Sequence, residues 1–175
     1  MKPLCVISCP IDTFSGYGAR SRDVVKAIIE LKDEEWDIKI LPQRWGDTPW
    51  GFIEENLDKW SFLQSYILKE GQLPKQPEVW MQITIPNEFQ PIGRYSIGIT
   101  AGIESNLSPA DWVEGINRMN LTLVSSNHAK NVFLNSKYDK IDQNTQQKIG
   151  EVKVEKPIEV LFEGVTDTYQ IIEWI

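Results

Sequence analysis

Two glycines near the N-terminus constrain this chain more than any other feature. Gly16-Tyr17-Gly18, with Ser15 before it and Arg20 after it, follows the apolar run Leu4-Cys5-Val6-Ile7 and opens an amphipathic run from Ala19 to Leu31. The order reads as strand, glycine-rich turn and helix. In open α/β sheets such a turn lies at the carboxyl edge of its strand, where ligands bind. Glycines let the backbone come close to a phosphate or a sugar, and the helix N-terminus offers free N–H groups and a positive dipole end. The dinucleotide fingerprint would need a third glycine three residues after the second, and that residue is Ser21. Two readings therefore stand side by side: a turn that a ligand approaches, and an ordinary tight strand-to-helix connection.

The rest of the chain keeps the same alternation. Short β-branched runs predict strands at Leu4–Ser8, Asp37–Leu41, Val79–Thr84, Tyr95–Thr100, Leu121–Ser125 and Ile158–Phe162. Four of them are almost continuously apolar, as strands covered on both faces are. Between them lie helical patterns: Ala19–Leu31, then Phe52–Leu68 with a break near Lys59, then a helix from Ser108-Pro109-Ala110-Asp111, then one from Asn127 with Val132 and Phe133 turned inward. Ser108 has the chemistry of an N-cap, Pro109 suits the first helical position, and Asp111 completes a capping box or favours the dipole. The alternation predicts an α/β fold, a three-layer domain with a mostly parallel sheet. Gln72–Pro77 reads as a polar connection, and residues 136–155 as a polar insertion or exposed hairpin.

Composition removes several function classes. The 175 residues are 41% hydrophobic, enough for one domain with a substantial core. No window approaches the ~18 consecutive apolar residues of a membrane span, and the N-terminus lacks a signal-peptide pattern, so the expectation is a cytoplasmic protein without a transmembrane segment. Two cysteines, Cys5 and Cys9, and one histidine, His128, supply neither a disulfide framework nor a zinc set. No metal site is expected. A net charge of -7, with basic residues dispersed among acids, argues against tight nucleic-acid binding.

Unusual residues collect where the strands end. Arg44-Trp45-Gly46-Asp47-Thr48-Pro49-Trp50-Gly51 follows the second strand. Trp45 and Trp50 either stack on sugars or bases, with Asp47 accepting from hydroxyls, or pin the loop to the domain. After the third strand come Asn87 and Glu88, and after the fourth comes Glu104. Loops converging on one edge predict a shared cleft. Ser125-Ser126-Asn127-His128 then leads into a helix capped by Ser126 or Asn127, where His128 either meets a ligand phosphate or is a neutral surface histidine.

Taken in order, these pieces resemble the N-terminal half of a GT-B glycosyltransferase of the family 4 type. The resemblance is carried by Ser15-Gly16-Tyr17-Gly18 with its helix, by Glu104 followed by Leu107-Ser108-Pro109-Ala110-Asp111-Trp112, and by Ile116-Asn117-Arg118-Met119-Asn120 leading into Leu121–Ser125. Phe133 and the stretch Val160-Leu161-Phe162-Glu163-Gly164-Val165 complete it. Asn120 stands where many relatives have Asp, and Thr166 separates Val165 from Asp167 in the turn that hands over to a second domain. The resemblance implies a Rossmann-like N-terminal domain over 1–165 and the start of a linker over 166–175. It implies transfer of a hexose from a nucleotide-sugar to a carbohydrate or other hydroxyl acceptor, with retention and without a cofactor or an obligatory metal. Gly16, Tyr17, Gly18 and His128 would lie near the donor phosphates; Trp45, Asp47, Trp50, Asn87, Glu88 and Glu104 would hold the acceptor. The partner it implies is a second Rossmann-like domain, in cis or in trans, that carries the donor-site glutamates. The chain by itself is then expected to be inactive, and no general base is assigned. Two rivals remain: a non-catalytic Rossmann-like module that binds a nucleotide or a protein, and glucosylation of nucleic acid.

Overall fold

The computed structural model describes residues 2–69 and 72–164. In chain order the strands are β1 (Leu4–Cys9), β2 (Asp37–Pro42), β3 (Val79–Ile83), β4 (Tyr95–Thr100), β5 (Leu121–Val124), the pair β6 (Tyr138–Ile141) and β7 (Lys148–Val152), and β8 (Ile158–Val160). The helices are α1 (Gly16–Lys32), α2 (Phe52–Glu55), α3 (Leu57–Trp60), α4 (Ala110–Arg118) and α5 (Asn127–Asn135), with 3-10 turns at Ser61–Ser65 and Pro86–Glu88. Six strands form one sheet in the order β2-β1-β3-β4-β5-β8, every neighbour parallel. The fold is the expected three-layer, Rossmann-like α/β domain.

Alternation along β1 shows how the layers are held. Cys5, Ile7 and Cys9 pack with Val24 and Val25 of α1 and with Ile53, Trp60 and Leu63. Leu4 and Val6 point the other way, against Trp80, Phe89 and Met119. All six residues of β1 are buried, because a central parallel strand has helices on both faces. Further along the sheet, Ile116, Ala129 and Phe133 of α4 and α5 pack with Val124 and Ile158.

Beyond β2 the chain meets the sheet once more. Ile40 pairs in parallel with Ile67, its N–H donating to the Tyr66 carbonyl and its carbonyl accepting from Leu68 N, both at 2.9 Å. With this remnant counted as a strand, the order becomes 3-2-1-4-5-6-7, the 3-2-1-4-5-6 of dinucleotide-binding sheets with β8 added as a seventh strand, and its order reverses beside the first strand. Here the reversal lies between β1 and β3. Loops leaving the carboxyl ends of those two strands therefore part and open a crevice.

Three local expectations are corrected. The first helix starts at Gly16 rather than Ala19, because the Ser15 hydroxyl accepts from Gly18 N at 2.9 Å. Both glycines therefore belong to its first turn. The Phe52–Leu68 helix breaks at Trp60 (φ -119°, ψ 5°), as expected near Lys59, but is also cut at Asn56 (φ -131°, ψ 42°). At that second cut the Asn56 amide donates to the Phe52 carbonyl at 2.8 Å, competing with the backbone ladder. Ser108 is not a cap: Pro109 holds the N-cap position and makes no side-chain cap bond. Ser108 is instead buried against the end of α5, its N–H donating to Ser136 Oγ at 2.9 Å.

Residues 136–155 form a hairpin, as one of the two expectations had it, with β6 and β7 antiparallel. Asn117 ties its end to α4, donating to the Lys153 carbonyl at 2.7 Å and accepting from Glu155 N at 2.8 Å. Val165 and the linker segment 166–175 lie outside the described residues.

Cys5 and Cys9 are free and buried. Burial pushes the Cys5 thiol up to about 11 and the Cys9 thiol up to about 12, the latter against the opposing pull of Ser21, the Ile11 backbone and Arg22. The unfolded chain releases these protons near the ordinary thiol value of ~8.5, while the folded chain keeps them. Stability should therefore be intact below that pH and fall as pH rises toward 11, by up to about 1.4 kcal/mol per unit for each thiol. Urea titrations from pH 8 to 10.5 on wild type and Cys9→Ala check this: the variant should show the shallower decline.

Candidate binding cleft

The N-terminus of α1 is fixed from below by a buried arginine. Arg22 is 4% exposed, and its Nη1 donates to the carbonyls of Ile11 at 2.9 Å and Thr13 at 3.0 Å. Its guanidinium lies 3.5 Å from the centre of the Phe52 ring. Burial lowers its pKa, with Asp23, Asp12 and Cys9 opposing that shift. The Asp12 carboxylate accepts from Ile53 N at 2.7 Å, and its carbonyl accepts from Gly51 N and Phe52 N at 3.1 Å. The loop after β1 and the loop after β2 are thus one unit, joined also where Thr13 pairs antiparallel with Trp50.

Above this unit lies a cavity of about 310 Å³ at the carboxyl edge. Gly16, Tyr17 and Arg20 of α1 form one wall, Trp45 another, and the ends of β3, β4 and β5 the floor. Tyr17 stacks on Trp45 with ring centres 4.1 Å apart and planes 25° apart. The Tyr17 hydroxyl lies 3.0 Å from Thr100 Oγ1 and accepts from Ala101 N at 3.2 Å. Ser125 Oγ donates to the Ala101 carbonyl at 2.7 Å. At the far side Arg20 Nη2 donates to the Leu161 carbonyl at 3.0 Å, and Arg20 Nε lies 3.7 Å from a Glu163 oxygen. A second hollow of about 360 Å³ shares Trp45 and adds Gly46, Asp47, Thr48, Ile85 and Glu88.

The sequence-predicted residues divide accordingly. Gly16, Tyr17 and Trp45 line the main cavity, and Trp45, Asp47 and Glu88 line the second hollow. Gly18 lines neither: it is buried under Thr13, whose carbonyl occupies the place of a β-carbon. Trp50 is 44% exposed and lines neither hollow, while its backbone pins the loop to Thr13. Asn87 is exposed, its carbonyl accepting from Arg118 Nη2 at 2.8 Å. Glu104, on the loop after β4, and His128, in the first turn of α5, are exposed at the same edge and line neither hollow, and Ser126 provides the cap of α5 by accepting from Ala129 N at 3.1 Å. The loops after β4 and β5 do reach the cavity, through Thr100, Ala101 and Ser125.

Four polar contributors to the main cavity were given no site role from the sequence: Arg20, Thr100, Ser125 and Glu163. Arg20 was detectable, since it lies four residues after Gly16 and so on the same helical face. Thr100 and Ser125 are polar residues closing apolar strands, a weaker signal. Among the described lining residues the charged groups are Arg20 and Glu163, which face each other, and there is no histidine, cysteine or lysine. The cavity offers one aromatic wall, the Tyr17–Trp45 stack, with Thr100 and Ser125 at its floor and the Glu163 carboxylate at its side. Among the described residues, no group of three His, Cys, Asp or Glu could hold a metal ion, and no helix is long and apolar enough to cross a membrane.

No protein-family model matches this sequence, and no curated protein does.

Proposed function

We propose that this chain is the acceptor-side domain of a GT-B glycosyltransferase of the family 4 type, acting in the cytoplasm on a nucleotide-sugar and a hydroxyl acceptor, with retention. The observation that carries the reading is the Tyr17–Trp45 cavity at the carboxyl edge, beside the reversal of strand order. Ligands of open α/β sheets sit in that crevice. An indole with a phenol stacked on it presents an apolar face to the C–H face of a pyranose, and half-buried Ser125 brings a hydroxyl to the floor beneath it. In this reading Gly16 offers the approach to the transferred sugar, and a second Rossmann-like domain supplies the groups that stabilise the departing diphosphate.

The test is calorimetric titration of the 175-residue protein with oligosaccharides and with nucleotide-hexoses, paired with a mass-spectrometric search for transfer. Saccharide binding without transfer is the expected result. Trp45→Ala should weaken saccharide binding by about tenfold or more, as loss of a central aromatic anchor does, while the melting temperature moves little. Transfer by this chain unaided would overturn the two-domain scheme. A second reading, a non-catalytic binding module, is favoured by the pairing of Glu163, the carboxylate of the described cavity lining, with Arg20 at 3.7 Å. Nucleotide binding with no response to any saccharide would select it.

A further inference from the structure

The two hollows differ in charge, and that difference bears on what the cleft accepts. In the main cavity Arg20 and Glu163 offset each other at 3.7 Å. In the second hollow the charged lining residues are Asp47 and Glu88, both acids, with no basic residue among the described lining. Their positions are set by the fold. Thr48 N donates to the Trp45 carbonyl at 3.0 Å, closing a turn in which Gly46 takes φ 50° and brings Asp47 back beside the indole. The Thr84 hydroxyl, just past β3, donates to the Glu88 carboxylate and orients it. Trp45 belongs to both hollows, with Tyr17 against one face of its ring.

We infer that the acceptor is a saccharide of at least two rings, neutral or amino-bearing, that straddles Trp45, and that Asp47 and Glu88 turn away acceptors carrying a carboxylate or phosphate in the second hollow. The inference rests on the glycosyltransferase reading above and narrows its substrate class. Two hollows of similar size on one indole seat one ring each. Carboxylates accept from vicinal sugar hydroxyls and attract an ammonium, whereas an anionic substituent would set like charges together in a domain already at net charge -7. Both acids are solvent-exposed, so the discrimination is moderate and falls with salt.

The experiment titrates the protein at low ionic strength with glucose, a neutral glucose disaccharide, its amino-sugar counterpart and a glucuronate-containing disaccharide of the same linkage. The neutral and amino disaccharides should bind more tightly than glucose, and the glucuronate disaccharide roughly fivefold more weakly than the neutral one, the upper range for exposed charge pairs. In Asp47→Asn/Glu88→Gln that ratio should approach one, with an unchanged melting temperature. A glucuronate disaccharide that binds wild type as well as the neutral one, or glucose that binds as well as the disaccharide, overturns the inference and leaves the glycosyltransferase reading standing. Failure of every saccharide to bind overturns both.

Discussion

Arg22→Ala is expected to lower the unfolding free energy by about 4 kcal/mol, a large share of the ~5–15 kcal/mol that holds a domain of this size. Truncation leaves the carbonyls of Ile11 and Thr13 without their charged donor, and hydrogen bonds to charged groups are worth about 1.5–3 kcal/mol each. It also removes the cation from the Phe52 ring, a contact worth ~2 kcal/mol when desolvated. Arg22→Lys should recover only part of the loss, because one ammonium cannot reproduce the forked guanidinium. Urea denaturation of the three proteins measures the difference. A loss under 1 kcal/mol for the alanine variant would mean that the contacts of the loop after β1 to Pro49–Ile53 suffice to hold it. The same variants should bind ligand more weakly even when folded, since the Ile11–Thr13 segment positions the Ser15 cap beneath Gly16 and Tyr17.

The second large effect separates two glycines that the sequence presents as a pair. A β-carbon on Gly18 would overlap the Thr13 carbonyl and lie 2.7 Å from Thr13 Oγ1, whereas one on Gly16 would meet nothing within 4 Å. Alanine ordinarily favours a helix over glycine by ~1 kcal/mol, yet overpacking against a fixed backbone costs about 1–3 kcal/mol or more. Gly18→Ala should therefore destabilise by about 2 kcal/mol, with Gly16→Ala neutral or slightly stabilising. Binding should divide the opposite way: Gly16→Ala puts its methyl at the cavity wall and weakens saccharide affinity, while Gly18→Ala, where still folded, leaves it near wild type. Melting temperatures and binding isotherms for both variants check this. Equal losses of stability would remove the assignment of Gly18 to packing and of Gly16 to the cleft.

That division marks where sequence reasoning reaches and where it stops. The six sheet strands were legible because each is a short β-branched run bounded by turn residues, and in the central ones, β1 above all, burial on both faces leaves little freedom in what such runs become. The β6–β7 hairpin was legible only as a polar stretch, since its residues are mostly exposed and carry no alternation. The cut at Asn56 depends on one side-chain hydrogen bond and has no periodic signature. At the site, Gly16 and Trp45 could be chosen by residue type and by their place after a strand. The Tyr17 hydroxyl against Thr100 could not, because 83 residues separate them and only the sheet order brings them together. Glu104 and His128 illustrate the same limit. Topology puts both on the carboxyl edge, but a strand's end does not determine whether the next side chain turns into the crevice or toward solvent.

The rims of the sheet have a bearing on self-association. An open parallel sheet offers two lines of backbone donors and acceptors on which a foreign strand could grow. Here one rim is β8, only three residues long. The other is β2, where Ile67 occupies the outer groups of Ile40 and a Lys39–Asp37 ion pair at 3.0 Å places charge along the strand. Neither rim gives an incoming strand enough consecutive partners to fix a register. Among the described residues, the main sheet therefore gives an incoming strand little to grow on at either rim, and contact of this layer with a companion has to proceed through side-chain surfaces.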